Sequence, residues 1–406
     1  MRPLIRAGVV LFVVAFGVQP LAAQTADDFF NPGVLHRLEL WMNQADWAKL
    51  KAAFQENTYY PADVVWNGIT IRNAGIRSRG LGSRSSTKPG LRVDVNRYAE
   101  SQAFLGLKSF ILDNLTQDPS GIRENIANQL LTRIGVPAAR EAHTRLYVNG
   151  EYAGLYGIIE SVDKSLMGRL FDGADNGFLF EYKYQLGSPW RFEDLGRSLD
   201  PYKLRFGIKT NENKSDATIW GPIEELVRLV NTTPIETFEA VVGPRLDLAA
   251  FTRFLAAQNF IAENDGFVGY AGMNNFYFYR RQDSSSHVFI AWDDDVAFLQ
   301  SDFGITTRLE DNTLSRKVLM LPRYQAMYTD VLVAAAAASE GWMRGEIERL
   351  LDMIGEAMES DTNKPYSNQQ HADERRHMLA FPDQRITYVR CEVAKQTGAT
   401  RPPGCQ

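Results

Sequence analysis

The chain has 406 residues, of which 45% are hydrophobic and 11% aromatic, and it carries a formal net charge of −5. This composition gives a globular protein with enough apolar material for a large core, and it excludes an intrinsically disordered chain. A negative net charge argues against sequence-independent binding to nucleic acid, because cationic contacts to phosphates dominate such binding.

The N-terminus has the pattern of a secretory signal peptide. Arg2 and Arg6 precede a short apolar run over residues 7–18, and small residues follow up to position 23. The run is too short to cross a bilayer comfortably, and no later stretch is long and apolar enough to do so. We therefore predict residues 1–23 as a signal peptide and a secreted or periplasmic mature chain with no membrane span. A buried N-terminal helix is the alternative.

Two cysteines, Cys391 and Cys405, lie near the C-terminus. In an oxidising compartment they are expected to form a disulfide. It would close a loop of about 15 residues and contribute on the order of 3 kcal/mol in the chain-entropy model. No histidine lies near them in a ligand-like spacing, so a zinc site is excluded.

The first half of the chain predicts a mostly antiparallel sheet with one helix, which is an α+β arrangement. Asn67-Gly68 and Asn149-Gly150 are typical of tight hairpin turns. The helix ends at Gly135 and is capped by Asp118 or Ser120. The predicted strands span residues 64–66, 69–71, 91–95, 109–112, 144–148 and 152–159.

Residues 76–88, between two of these strands, combine glycines, hydroxyl side chains and four cations. Backbone amides, hydroxyls and guanidinium groups suit a polyphosphate, and Lys88 at the start of the next strand could reach it. Neither a P-loop nor a dinucleotide-binding glycine motif is present. The alternative is an exposed basic hairpin tip.

The second half is predicted to be more helical. Residues 185–218 are polar and punctuated by glycine and proline, which favours a long insertion or flap. Asp247 caps a strongly periodic helix that ends near Asp265. An acid at the C-terminal end of a helix interacts unfavourably with the helix dipole, so the position of Asp265 requires a compensating reason. The later predictions are strands over residues 178–184, 274–279 and 288–292, and helices over 315–338, 341–358 and 373–395.

The last of these strands runs into three adjacent acids, Asp293, Asp294 and Asp295. Alternation along a strand would point Asp293 and Asp295 to one side and Asp294 to the other. Two carboxylates on one face can share a divalent cation with phosphate oxygens, as magnesium sites do. We expect Asp294 to matter least. The alternative is a solvated acidic turn.

Several motifs resemble the CotH family, the spore-coat protein H-type atypical protein kinases. They are Asp118-Pro119-Ser120-Gly121-Ile122-Arg123-Glu124, the segments 135–140 and 146–156, and Trp292-Asp293-Asp294-Asp295. The similarity runs from about residue 76 to 298, in the family's order. It implies a two-lobed atypical protein-kinase-like fold, with residues 24–162 as a sheet-based N-lobe and residues 163–406 as a mostly helical C-lobe. It also implies ATP with Mg²⁺, or Mn²⁺, and phosphorylation of protein serine or threonine.

The resemblance also implies roles for individual residues. Asp293, with Asp295, would bind the metal, and Asp265 would orient or deprotonate the acceptor hydroxyl. Lys88 would neutralise phosphates, and Glu124 would brace Lys88.

Other roles stay open. Arg79 or Arg92 could share the task of Lys88, and either Asn274 or Asn275 could meet the metal. Glu160 lies where a kinase hinge meets adenine, or it is an acid at the edge of the core.

Three functions compete at this point. The first is a secreted kinase that modifies an exported protein or a surface polymer. The second is a catalytically inactive kinase-like module for surface binding or adhesion, and the third is a nucleotidyl transferase that transfers AMP.

Overall fold

The fold is mixed α+β. A computed structural model describes residues 24–282 and 286–405. The predicted signal peptide, residues 1–23, lies outside the described residues. Within the described part of the chain, no helix is both long and apolar enough to cross a membrane.

Seven strands close into a barrel in the order β1-β2-β3-β4-β5-β7-β6. They are β1 (Leu35–Met42), β2 (Tyr60–Trp66), β3 (Ile69–Ser78), β4 (Leu91–Asp94), β5 (Ser109–Asp113), β6 (Glu141–Val148) and β7 (Glu151–Glu160). Adjacent strands are antiparallel except β1 and β6, whose parallel pairing closes the ring. The sheet is therefore mostly antiparallel, as predicted, and the parallel pair gives β1 a partner on each of its edges.

Aromatic side chains fill the barrel. The short helix α1 (Ala26–Phe29), capped by Thr25, brings Phe29 into its interior. The Phe29 ring lies 4.9 Å from the ring of Phe104, 5.0 Å from that of Phe110 and 5.2 Å from that of Trp66, measured between centroids. These contacts form the first of two large hydrophobic cores, the barrel core.

Three helices lie within residues 24–162. They are α1, α2 (Gln44–Ala52) and α3 (Arg123–Arg133). Asp118 anchors the start of α3, because its Oδ2 accepts from the backbone N–H of Arg123 at 2.8 Å. Nearly all of α3 is buried, so the helix lies between the barrel and the later helices.

A second sheet has the order β11-β10-β8-β9 and is antiparallel throughout. Its strands are β8 (Phe178–Tyr182), β9 (Phe206–Ile208), β10 (Phe276–Arg280) and β11 (His287–Ala291). The edge strand β9 and the helix α5 (Asp200–Arg205) lie within the segment predicted as a flap. That prediction is wrong, because Trp190, Phe192 and Tyr202 are buried and anchor the segment in the second large core, the helical core.

The remaining helices, apart from α4 (Lys164–Leu170), form most of the helical core, whereas Leu166 and Met167 of α4 belong to a smaller cluster with residues of β8, β10 and β11. These remaining helices are α6 (Asp216–Thr232), α7 (Ile235–Val242), α8 (Leu248–Phe260), α9 (Thr313–Leu319), α10 (Pro322–Ser339), α11 (Met343–Ser360) and α12 (Asn368–Thr397). Asp247 caps α8, as predicted. The predicted disulfide is present, since Cys391 in α12 is bonded to Cys405 with their Cα atoms 5.5 Å apart.

Candidate active site

Asp294 points away from Asp293 and Asp295, as predicted, but a turn rather than strand alternation separates it from them. The strand ends at Ala291, and Asp293 has a left-handed backbone with φ of 61°. The charge of Arg79 acts on the carboxylate of Asp293, and the charge of Arg123 acts on that of Asp295, in each case lowering a pKa that burial raises. Asp294 turns into the core, where its Oδ1 accepts from Gln258 Nε2 at 2.9 Å.

Asp265 lies just beyond α8 and is joined to both predicted asparagines. Its Oδ2 accepts from Asn274 Nδ2 at 3.0 Å and from Asn275 Nδ2 at 3.4 Å. Asn275 Nδ2 also donates to the carbonyl oxygen of Asp293 at 3.3 Å. Asn275 therefore connects the loop of Asp265 to the acidic turn.

The segment between Asp265 and Asn274 folds back on itself. The carbonyl oxygen of Gly266 accepts from the backbone N–H of Gly269 at 2.9 Å and from that of Asn274 at 3.1 Å. This closure returns the chain to its starting point, so a loop of this length still brings both asparagines to Asp265.

The acids of the site lie close to one another, and Asp265, Asp293 and Asp295 are half-buried. Burial raises the pKa of Asp293 to about 6, with further increases from Asp113 and Asp265 that Arg79 partly opposes. Burial also raises the pKa of Asp265, against hydrogen bonds from the two asparagines. Burial and then Asp293 raise the pKa of Asp295 well above its ordinary value. The site therefore carries more negative charge than its own cations balance, and a bound cation would stabilise it.

Arg79 is the cation at the centre of these acids. Its Nη1 donates to Asp113 Oδ2 at 2.9 Å, and its guanidinium lies 5.8 Å from the ring centre of Trp292. Burial opposes the charge on Arg79, but Asp113, Asp293 and Glu124 more than offset it, so its pKa is raised.

Lys88 points away from these acids. Its side chain is fully buried and its Nζ lies 2.6 Å from Asp361 Oδ2. The contact is therefore a buried ion pair. Ser85 Oγ accepts from the backbone N–H of Lys88, and Asn114 Nδ2 donates to the carbonyl oxygen of Lys88 at 2.8 Å. These bonds fix the backbone so that Lys88 meets Asp361 instead of the predicted partner, Glu124.

Glu124 lies among acids rather than beside a lysine. Burial raises the pKa of its carboxyl well above the ordinary value, and Glu141, Asp293 and Asp113 raise it further. The nearby cation is Arg79, whose charge Glu124 helps to stabilise.

Glu160 and Arg92 are held by partners outside this group of acids. Arg140 Nη2 and Arg169 Nη2 approach the carboxylate of Glu160 at 2.6 and 2.7 Å, so this side chain is held in ion pairs. Arg92 Nη2 donates to Ser109 Oγ at 2.9 Å and lines a cavity of about 370 Å³.

Asp113 and Arg123 belong to this constellation but were not predicted as site residues. Asp113 ends β5 and holds Arg79, whereas Arg123 Nη1 donates to the carbonyl oxygen of Asp295 at 3.3 Å. The signal for Asp113 was an acid at the end of a buried strand, which is the signal that identified Asp293. Arg123 lies in the motif 118–124 and precedes Glu124.

The oxygen ligands present suit magnesium better than zinc. Asp293 and Asp295 provide carboxylates, and Asn275 and Asp265 lie beside them. Within residues 24–282 and 286–405, no three His, Cys, Asp or Glu side chains are grouped so that they could hold a metal by themselves. Magnesium does not require such a cage, because it is usually held by one or two carboxylates together with substrate phosphates.

Protein kinases also use an aspartate near the acceptor hydroxyl, an asparagine and a later aspartate on the metal. The chain belongs to the CotH family, since residues 76–389 match the family model described as CotH kinase protein. The chain is 23% identical to the inner spore coat protein H of Bacillus subtilis over 314 residues, which cover 74% of this chain and 81% of that protein. It is 24% identical to the invasin CotH2 of Rhizopus delemar over 207 residues, 47% of this chain and 32% of that protein.

Two solved structures are distantly similar. The proinflammatory kinase CtkA of Helicobacter pylori has a TM-score of 0.31 and 9% identity, covering 71% of this chain and 92% of CtkA. The HipA, HipB and operator DNA complex of Shewanella oneidensis contains a chain with a TM-score of 0.31 and 12% identity, covering 82% of this chain and 65% of that one. These scores are too low to indicate a shared fold, so family membership rests on the sequence match.

Proposed function

We propose that this chain is a secreted or periplasmic kinase that transfers the γ-phosphate of ATP to serine or threonine hydroxyls of a protein, using Mg²⁺. Membership of the CotH family supports phosphotransfer. The observation that carries the proposal is the hydrogen-bonded link between Asp265, Asn275 and Asp293. It joins the two acids that a kinase requires, one beside the acceptor hydroxyl and one on the metal.

The proposed enzyme has an N-lobe of residues 24–162 and a C-lobe of residues 163–406. The two large cores support this division, because the barrel core draws only on residues 29–158, whereas most of the helical core follows residue 178. The names of the two relatives, an inner spore coat protein and an invasin, support a location outside the cytoplasm.

Asp265 is proposed to orient the acceptor hydroxyl and accept its proton. Its Oδ2 is held by Asn274 and Asn275, whereas no described residue donates a hydrogen bond to its Oδ1. That oxygen is available to the substrate hydroxyl. Burial raises the pKa of Asp265, which makes the carboxylate a better base than an exposed aspartate.

Asp293 and Asp295 are proposed to hold Mg²⁺, with Asn275 and Asn274 beside them. When bound, the metal would neutralise phosphate charge during transfer. The surplus of acids supports this assignment, because a divalent cation would relieve their mutual repulsion.

Arg79 is proposed to take the phosphate-binding role that the resemblance gave to Lys88. Arg79 lies beside Asp293, whereas Lys88 is held in a buried pair with Asp361. A guanidinium also presents several donors to phosphate oxygens at once. Glu124 would then brace Arg79 instead of Lys88.

The proposed nucleotide site extends toward Arg92 and Glu160. Arg92 lines the 370 Å³ cavity and could contact the nucleotide directly. The carboxylate of Glu160 is held by two arginines, so this residue would act by shaping the end of β7 near adenine.

Labelled ATP tests the proposed activity. The mature chain would be incubated with γ-labelled or α-labelled ATP and with Mg²⁺ or Mn²⁺. The acceptors would be proteins exported by the cells from which the chain comes. Transfer of the γ-label alone supports a protein kinase, whereas transfer of the α-label supports AMP transfer. Absence of both labels with either metal would contradict both enzymatic functions and favour a binding module.

Asp293→Ala tests the metal role. We expect γ-label transfer to fall at least about 100-fold, because the variant loses a positioned charge at the reacting phosphate. Asp330→Ala, on the exposed face of α10, is the control and should keep wild-type transfer. Circular dichroism would establish that both variants are folded, and a fully active Asp293→Ala protein would refute the assignment.

A further inference from the structure

Three buried polar side chains lie beneath Asp265 and Asp293. They are Gln258 in the last turn of α8, Glu263 in the following loop and Asp294 in the acidic turn, and they are 2%, 2% and 1% exposed. We call these three residues the polar floor.

The polar floor forms a continuous connection between the two proposed functional acids. Gln258 Nε2 donates to Asp294 Oδ1 at 2.9 Å, and the backbone N–H of Glu263 donates to the carbonyl oxygen of Gln258 at 3.0 Å. Glu263 Oε1 in turn accepts from the backbone N–H of Asp265 at 2.6 Å. Asp294 is the chain neighbour of Asp293, so one helix residue, Gln258, links both acids.

The loop after Asp265 rests directly on the polar floor. A Cβ atom on Gly266 would lie 2.6 Å from Gln258 Oε1 and 2.9 Å from Glu263 Cγ, which leaves room only for glycine. The carbonyl oxygen of Gly266 accepts from the backbone N–H of Asn274. A displacement of the floor would therefore also move the asparagines that hold Asp265.

The polar floor is not optimised for stability. In the described structure, Gln258 Oε1, Glu263 Oε2 and Asp294 Oδ2 are buried and have no hydrogen-bond partner. Unpaired buried acceptors cost stability, and apolar side chains of similar volume would remove that cost. The polar groups therefore indicate a role that apolar packing would not fulfil. That role is to fix the orientation of the Asp265 loop relative to the acidic turn.

We infer that the polar floor sets the distance between Asp265 and Asp293, so that Gln258 and Asp294 are positioning residues for the reaction. This inference rests on the proposed kinase function. Phosphoryl transfer depends on the relative placement of the acceptor hydroxyl and the metal-bound phosphate, and a shift of about 1 Å can cost about 100-fold in rate. Asp294 acts here through its hydrogen bond to Gln258 and not by touching the substrate.

The test separates the hydrogen bond from the charge of Asp294. Asp294→Ala removes the bond to Gln258, whereas Asp294→Asn keeps an acceptor oxygen and adds an amide that can donate to Gln258 Oε1. We expect Asp294→Ala to lower kcat for γ-label transfer at least tenfold while KM for ATP changes less than threefold. Asp294→Asn should restore kcat to within threefold of wild type, and Asp330→Ala is the matched surface control.

Binding of Mn²⁺, followed by electron paramagnetic resonance without ATP, gives a readout that does not depend on turnover. We expect Asp294→Ala to weaken Mn²⁺ binding at least fivefold, because the adjacent Asp293 is no longer fixed, and Asp294→Asn to weaken it less than twofold. Gly266→Ala serves as a second variant, since it displaces the loop without truncating a buried side chain, and it should also lower kcat at least tenfold.

The outcomes distinguish failure of the proposed kinase function from failure of the positioning role of the polar floor. A wild-type protein that transfers no γ-label overturns the proposed function and this inference with it. An active wild type accompanied by equally active Asp294→Ala and Gly266→Ala proteins overturns this inference alone. Equal impairment of Asp294→Asn and Asp294→Ala also overturns it, because the charge of Asp294 would then matter and not its hydrogen bond.

Discussion

Arg79 and Lys88 show how two cations in one glycine-rich segment acquire different environments. Arg79 pairs with Asp113 and faces Asp293, whereas Lys88 is enclosed with Asp361. In the proposed kinase, Arg79 is therefore the side chain that would meet the phosphates of a metal-bound nucleotide. Lys88 contributes to the connection between the barrel and the C-terminal helices.

Arg79→Ala is therefore expected to weaken the binding of Mg–ATP at least tenfold, which corresponds to the loss of a charge-assisted contact of about 1.5 kcal/mol or more. Calorimetric titration measures this affinity. Arg72→Ala, which removes an exposed arginine on β3, should bind as the wild type does. Weaker binding in Lys88→Met with unchanged binding in Arg79→Ala would return the role to the lysine.

His143 makes the stability of the chain depend on pH. Burial lowers its pKa from 6.5 to about 4, and its Nε2 donates to the carbonyl oxygen of Gly121 at 2.7 Å. The folded pKa lies below the unfolded value, so the unfolded chain binds more protons between these values. The contribution of neutral His143 is therefore complete above about pH 6.5 and is lost as the pH falls toward 4.

We expect the protonation of His143 to lower the free energy of unfolding by up to about 3 kcal/mol as the pH falls over that interval. Burial raises the pKa of Asp293 to about 6 and that of Asp294 to about 7, and these shifts act in the opposite direction. Urea unfolding of wild type and His143→Gln at pH 7 and pH 4.5 isolates the histidine, because the glutamine amide can still donate to Gly121. Identical pH dependence in the two proteins would contradict the prediction.

At the scale of elements, the start of α3 joins three parts of the chain. Arg123 Nη2 lies 2.6 Å from Glu374 Oε1 in α12, and its Nη1 donates to the carbonyl oxygen of Asp295. Asp118 accepts from the backbone N–H of the same residue. One buried guanidinium thus connects a barrel-side helix, the acidic turn and the last helix.

Arg123→Met is expected to lower the free energy of unfolding by about 3 to 5 kcal/mol, because it leaves acids without their partner in a buried setting. Arg375→Met, which removes a more exposed ion pair between α12 and Asp352, is the control and should cost less than about 1 kcal/mol. Chemical unfolding measures both. A loss no larger than that of the control would show that Arg123 does not hold these elements together.

Across the whole molecule, Asp361 docks the end of α11 onto the barrel. Its Oδ2 lies 2.6 Å from Lys88 Nζ and accepts from the backbone N–H of Leu155 at 3.1 Å. Gly154 has φ of 134°, and a Cβ atom there would lie 2.6 Å from the same oxygen. The barrel backbone at Gly154 and the carboxylate of Asp361 therefore lie so close together that a side chain at residue 154 would clash.

Lys88→Met should destabilise the fold by about 3 to 5 kcal/mol, because Asp361 would remain buried without its counter-ion. Adding Asp361→Asn should restore part of that loss. A double-mutant cycle based on urea unfolding measures the coupling between the two side chains. Strictly additive losses would show that the pair does not act as a unit.

Local sequence signals were sufficient where the responsible atoms are close along the chain. Asn67-Gly68 takes positive φ at both positions of its hairpin, and Asp247 accepts the helix amide of Ala250. Backbone preference and short-range hydrogen bonding determine such features. The acidic turn and the family motifs were also recognisable from local residue order.

Long-range contacts decided the rest. Residues 185–218 read as a polar flap, yet a few aromatic side chains bury the segment in the helical core. The parallel pairing of β1 with β6 depends on a strand about 100 residues away in the sequence, and no local pattern specifies it.

The same distinction applies to the candidate site. The sequence by itself determined which residue types are present, an acid after a helix, three acids after a strand and a cation-rich loop. The tertiary structure decided that Arg79 and not Lys88 faces those acids, and that Asp294 bonds to Gln258. The physical reason is that side-chain direction depends on backbone turns and buried partners, which are set by contacts between residues far apart in the chain.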